Sequence, residues 1–117
     1  MTVTIYKNLK EITNGFQRDV NYVLERIRIG KSKALIEKIR AEPNEEKQQE
    51  LKKQLPAINF QGVFKERNDK GLKIFSGLMP LDFDKFESEE QLNAMMDSLR
   101  DCEYVFAMFL SPRGNGF

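Results

Sequence analysis

The residues with the clearest chemical potential are Asp82 and Asp84, near the end of the run LKIFSGLMPLDFDK, residues 72–85. Side chains alternate faces along a β-strand. A strand carried through 72–84 therefore puts Ser76, Leu78, Pro80, Asp82 and Asp84 on one face, opposite Phe75, Gly77, Met79, Leu81 and Phe83. Two positions along a strand separate Cα atoms by roughly 6.5–7 Å, a span from which two carboxylate arms can converge. Like charges this close need water or a cation between them. Oxygen donors suit Mg²⁺ or Mn²⁺, singly or as a pair of ions roughly 3.5–4 Å apart. The same residues have an ordinary use, because acidic side chains start turns and cap helices, and Asp84 stands shortly before a helix start.

A second group follows the apolar run EYVFAMFL, residues 103–110, in the terminal SPRGNGF. Ser111, Arg113, Asn115 and the two glycines, Gly114 and Gly116, can form a loop whose backbone N–H groups turn toward an anion, with the Arg113 guanidinium forking onto phosphate. Pro, Gly and Asn are equally the residues of a plain hairpin turn. If 72–84 and 103–110 lie side by side and parallel, joined by a right-handed crossover through a helix, the carboxylates and the loop meet at one rim of the sheet. That combination points to a metal together with a nucleotide phosphate.

The elements that would position these groups are readable from periodicity. TVTIYK, residues 2–7, alternates and is β-branched, so it is a strand. Phe16, Val20, Val23, Leu24 and Ile27 recur at helical spacing up to Gly30, and Leu35, Ile36 and Ile39 mark a second helix ending near Glu42–Pro43. NEEKQQELKKQL, residues 44–55, is a third, largely polar surface helix. INFQGVFKE and LKIFSGLMPLDF read as two strands of a hairpin turning around RNDKG. Ser88 followed by Gln91 is a capping box, and Leu92, Met95, Met96 and Leu99 form the apolar stripe of the helix it starts. Residues 103–110 read as a central strand, and a chain ending just past it looks cut short. The expected fold class is α+β: a helical unit over 1–57, packed on a sheet unit over 58–117 built from hairpin, helix and parallel strand, the whole forming one compact domain.

Composition bounds the function. At 117 residues with nine Phe the chain can bury a core, and a net charge of +1 argues against a binder that uses its whole surface for nucleic acid or membrane. One cysteine, Cys102, allows no internal disulfide, which fits a reducing cytoplasm. No apolar N-terminal run resembles a signal peptide or membrane span. Histidine is absent, which removes imidazole acid–base work and His metal sites. Charge is nevertheless uneven. Arg26, Arg28, Lys31, Lys33, Lys38 and Arg40 face only Glu37 within 26–40, a patch that could track a nucleic-acid strand or form the solvated side of two helices. Residues 82–103 are acidic, which favours cations and repels DNA.

The combination of FSGLMPLDFDK, a capped helix and VFAMFLSPRGNGF resembles the primase-polymerase (archaeo-eukaryotic primase) superfamily, and within it the VirE N-terminal-domain group known from Bacteroidetes mobile elements. The stretch IRIGKSKALIEKIRAEPNEEKQQELKKQLPAINFQGVF, residues 27–64, matches that group's pattern of helices followed by LP and a G-x-F strand, so the likeness runs from about residue 20 to the end. It implies a partial RRM-like sheet, with Asp82 and Asp84 as catalytic ligands of divalent Mg or Mn, and Ser111, Arg113 and Gly114 on the incoming nucleotide's phosphates. It further implies a DNA template and nucleoside triphosphates as partners of a longer parent, with a possible helicase module in the same chain. The basic residue closing the second motif and the third acidic motif do not occur within these residues, and Pro80 interrupts the expected metal-bearing strand. The fragment by itself is therefore expected to be inactive. The competing reading is a noncatalytic module that binds DNA or a protein.

Overall fold

The computed structural model describes residues 1–117, and its organising element is the first strand. Strand β1 (Thr2–Tyr6) is the middle member of a three-stranded antiparallel sheet, between β2 (Phe16–Asp19) and β3 (Ala57–Asn59). Val3, Thr4, Ile5 and Tyr6 are buried, so both faces of the strand are covered beyond Thr2. Val3 and Ile5 pack with Val20 and Val23 of helix α1 (Val20–Arg28), joined by Leu24, Ile27, Ile58, Phe60 and Leu78. Each such buried aliphatic side chain contributes about 1.5–3 kcal/mol. On the other face the Thr4 hydroxyl donates to the Gly62 carbonyl at 2.9 Å and accepts the Phe64 N–H at 2.9 Å. It thereby ties β1 to β4 (Gly62–Phe64), which pairs antiparallel with β5 (Leu72–Phe75).

Helices α2 (Lys33–Ala41) and α3 (Glu45–Lys52) follow α1, and α4 (Glu89–Leu99) lies near the C-terminus. Their ends are governed by local chemistry. Asp19 caps α1 through the Asn21 N–H, and Gly30, with φ of 71°, turns the chain out of it. Asn44 caps α3 through the Lys47 N–H. Buried Gln48 on α3 donates to the Ile39 carbonyl at 2.7 Å, so α2 and α3 are joined by a satisfied polar contact. Ser88 caps α4 through the Gln91 N–H, while the Gln91 side chain reaches back to the Glu87 N–H.

The α+β expectation holds, with four helices and antiparallel sheets of three and two strands. The finer topology needs correction, since all strand pairs are antiparallel. Residues 103–110 form no strand, and Tyr104, Phe106, Phe109 and Leu110 are exposed. A strand exists only through its ladder, and the apolar run finds no strand neighbour. The strand expected over 72–83 ends at Phe75. There the Ser76 hydroxyl donates to the Phe60 carbonyl and accepts the Leu78 N–H, and Gly77 takes φ of 89°, so a local side-chain turn replaces the ladder. INFQGVF is split into β3 and β4 by a turn at 60–61, and Phe16 belongs to a strand rather than to the helix. The chain divides into two compact units, Met1–Pro80 and Leu81–Phe117. No helix is long and apolar enough to cross a membrane.

Candidate functional site

Asp82 and Asp84 lie in irregular backbone between β5 and α4, and both are exposed. Strand alternation does not position them. What positions them is a short reciprocal backbone pair: the Phe83 N–H donates to the Phe117 carbonyl at 2.8 Å and the Phe117 N–H to the Phe83 carbonyl at 2.9 Å. Phe83 and Phe117 stack with ring centroids 4.9 Å apart, and Phe86 also stacks on Phe117 at 5.9 Å. This aromatic stack fixes the residue between the two aspartates.

The loop over residues 111–117 closes on itself. The Ser111 N–H donates to the Gly116 carbonyl and the Gly114 N–H to the Ser111 carbonyl, each at 2.9 Å, and Gly114 takes φ of 77°. Gly116 is buried with no room for a side chain. A Cβ there would sit 2.4 Å from the Phe83 carbonyl oxygen and 3.2 Å from Asp84 Cα. The loop backbone thus runs directly against Asp84. Ser111, Arg113 and Gly114 are half-buried in that loop, and Asn115 is exposed. Next to Asp84, Lys85 takes φ of 60°, a left-handed conformation uncommon for a residue with a side chain. A shallow cavity beside these residues is lined by Asp84, Lys85, Phe86, Gln91, Met95 and Ser98.

The sequence motifs are therefore neighbours, though not by the route their spacing suggests. Gly116, which makes the approach possible, was legible as one of the loop's two glycines, but its close packing against Asp84 was not. The donor set is all oxygen, and no three carboxylate or thiol side chains converge. Two exposed carboxylates are too few to hold a pair of cations, but Mg²⁺ is commonly held by one or two carboxylates with water and substrate phosphates completing its shell. A single such cation would take its remaining ligands from water and phosphate.

The basic patch lies elsewhere, on α1, the connection after it and α2. Arg28 pairs with Glu25 at 2.6 Å, and Lys33 lies 3.9 Å from Glu37. The Glu25 carboxyl is held below its usual range chiefly by its hydrogen bonds from Arg28. Arg26 bonds the Tyr22 hydroxyl instead of a carboxylate.

No curated protein and no solved structure matches the chain. A family model, described as BT4734-like, N-terminal domain, matches residues 50–117, a span that includes both halves of the candidate site. By that match over more than half its length, the chain belongs to the BT4734-like N-terminal domain family.

Proposed function

We propose that this chain is the N-terminal part of a primase-polymerase-like protein of the VirE N-terminal-domain type, in which the 82–84 turn and the 111–116 loop receive a metal-bound nucleoside triphosphate. The observation that carries the reading is the Phe83–Phe117 backbone pair with Gly116 against Asp84, which sets a carboxylate pair beside a glycine-rich loop containing Arg113. Asp82 and Asp84 share a divalent Mg or Mn with the phosphates, and Ser111, Arg113 and Gly114 bind those phosphates through hydroxyl, guanidinium and backbone N–H. The cation, when bound, offsets charge on the phosphates during nucleotidyl transfer. The transfer itself belongs to a longer parent, consistent with a family described as an N-terminal domain. There residues 103–110 gain the strand neighbour that an RRM-like sheet requires. A DNA template, a helicase-like module in the same chain and a cytoplasmic setting complete the reading.

A second reading, a noncatalytic interaction module, is favoured by the exposed Leu81, Tyr104, Phe106 and Leu110 within the same unit. Mn²⁺ titration followed by electron paramagnetic resonance, with and without a nonhydrolysable nucleoside triphosphate, separates the two. The nucleotidyl-transfer reading expects weak binding that tightens when nucleotide is added and is lost in the Asp82→Asn, Asp84→Asn double variant. Binding that ignores the nucleotide or survives the double substitution rejects it and leaves the interaction module.

A further inference from the structure

Along the outer edge of the N-terminal sheet, strand β2 runs into α1 without a connecting loop, and Asp19 is both the last strand residue and the helix cap. Alternation puts Phe16 and Arg18 on one face of β2, opposite Ile5 and Val3 of β1, while Tyr22 and Arg26 are one turn apart on α1. The four side chains meet in series. The Arg18 guanidinium carbon lies 5.0 Å from the Phe16 ring centroid and 5.8 Å from that of Tyr22, and Arg26 lies 5.5 Å from Tyr22 on its own side. The result is a ladder of alternating rings and guanidinium groups, Phe16, Arg18, Tyr22, Arg26.

Three features distinguish it from a helix face that is merely solvated. Both rings are large and exposed, Phe16 at 43% and Tyr22 at 45%. Neither Arg18 nor Arg26 is in an ion pair, and the acids next to them in sequence are already engaged: Asp19 by the N-terminal ammonium and the α1 cap, Glu25 by Arg28. Finally, the ladder is held at both ends by backbone structure, through the β1 pairing of Phe16 and Arg18 and the helical position of Tyr22 and Arg26. Alternating π-faces and un-neutralised cations are complementary to a polymer that alternates planar bases with phosphates.

We propose that this ladder is a binding site for single-stranded nucleic acid, with bases stacking on Phe16 and Tyr22 and phosphates meeting Arg18 and Arg26. It lies outside the family-matched residues 50–117 and uses no residue of the carboxylate site. A duplex, whose bases are already stacked, lacks free faces to offer.

The test is fluorescence anisotropy of the whole 117-residue protein with a labelled oligothymidylate, at low salt and in EDTA, so that metal and nucleotide binding play no part. Single strand should bind more tightly than duplex of the same sequence length, and an abasic strand of equal phosphate count should bind about tenfold more weakly, as expected for loss of base stacking. Tyr22→Leu, which keeps an apolar side chain at an exposed position, should weaken oligothymidylate by about tenfold while leaving the abasic strand unchanged. Arg26→Ala should reduce the slope of log affinity against log salt by about one. The Asp82→Asn, Asp84→Asn variant should bind the oligonucleotide as the parent does. Equal affinity for abasic and normal strands, tighter binding of duplex, or no binding at low salt each overturns the proposal.

Discussion

At the scale of single residues, glycine positions decide whether the candidate site exists. Gly116→Ala forces a methyl group within 2.4 Å of the Phe83 carbonyl, so the loop must lift from Asp84. The expected cost is about 1–3 kcal/mol, as for other overpacked sites. Hydrogen exchange should show the Phe83 and Phe117 amides losing protection, whereas unchanged protection removes Gly116 from the account. Tyr6 carries the opposite lesson. It is fully buried and its hydroxyl has no hydrogen-bond partner, and burial pushes its phenol above the usual range. Tyr6→Phe should therefore raise stability by up to about 1–3 kcal/mol in urea unfolding, because an unsatisfied buried donor is removed. A loss of that size would show that the hydroxyl is paired in solution. Asp19 links stability to acid. The Asn21 N–H chiefly holds its carboxyl below the usual value; desolvation, next in size, opposes it, and the N-terminal ammonium adds a further lowering. A depressed folded-state pKa adds stability above the unfolded pKa, and that stability is lost as pH falls through the depressed value. Asp19→Asn should flatten the dependence of the melting temperature on pH in this acid range alone.

At the scale of elements, the helices were legible and the strands only partly so. Caps and 3.6-residue periodicity are local, so Ser88 and Gln91 were enough to place the start of α4. Ser88→Ala should cost about 1 kcal/mol by loss of the hydroxyl that accepts the Gln91 N–H, read as a lower urea midpoint. Strands depend on partners distant in the chain. FQRD has no alternation of apolar and polar residues, yet it becomes β2 because β1 offers it an edge. EYVFAMFL has strong strand character and stays irregular for want of a ladder. The hairpin between β4 and β5 was legible because RNDKG is turn chemistry, but its register was not. Gly62 takes φ of 146°, and a Cβ there would lie 1.9 Å from the Ile74 carbonyl oxygen, a close approach the residue types alone do not announce. The candidate site was legible as two motifs; the backbone pair uniting them, between Phe83 and Phe117, leaves no compositional mark.

At the scale of the whole molecule, the burial is uneven. Nine of the ten buried apolar residues lie within Met1–Pro80, and Leu92 alone represents Leu81–Phe117. The two units should therefore differ in local stability, with slow amide exchange concentrated in β1, α1 and β3 and faster exchange through 81–117. Leu92→Ala, expected to cost about 2–5 kcal/mol at its site, should speed exchange across the second unit and leave β1 unchanged. Uniform exchange in the parent, or global unfolding in the variant, would show a single cooperative body instead.

Thr4 sets a condition on how the protein is made. Its hydroxyl is satisfied only by Gly62 and Phe64, and β1 gains its second neighbour only with β3, some sixty residues downstream. At ordinary synthesis rates of about 5–20 residues per second, those partners are translated roughly 3–12 s after Thr4 itself. Until then β1 can pair only with β2, and an isolated two-stranded hairpin is marginal in water. The most buried strand of the protein is thus the one that waits longest during translation. Nascent chains halted before Phe64 should be degraded or captured by chaperones, and those extended past it should resist protease.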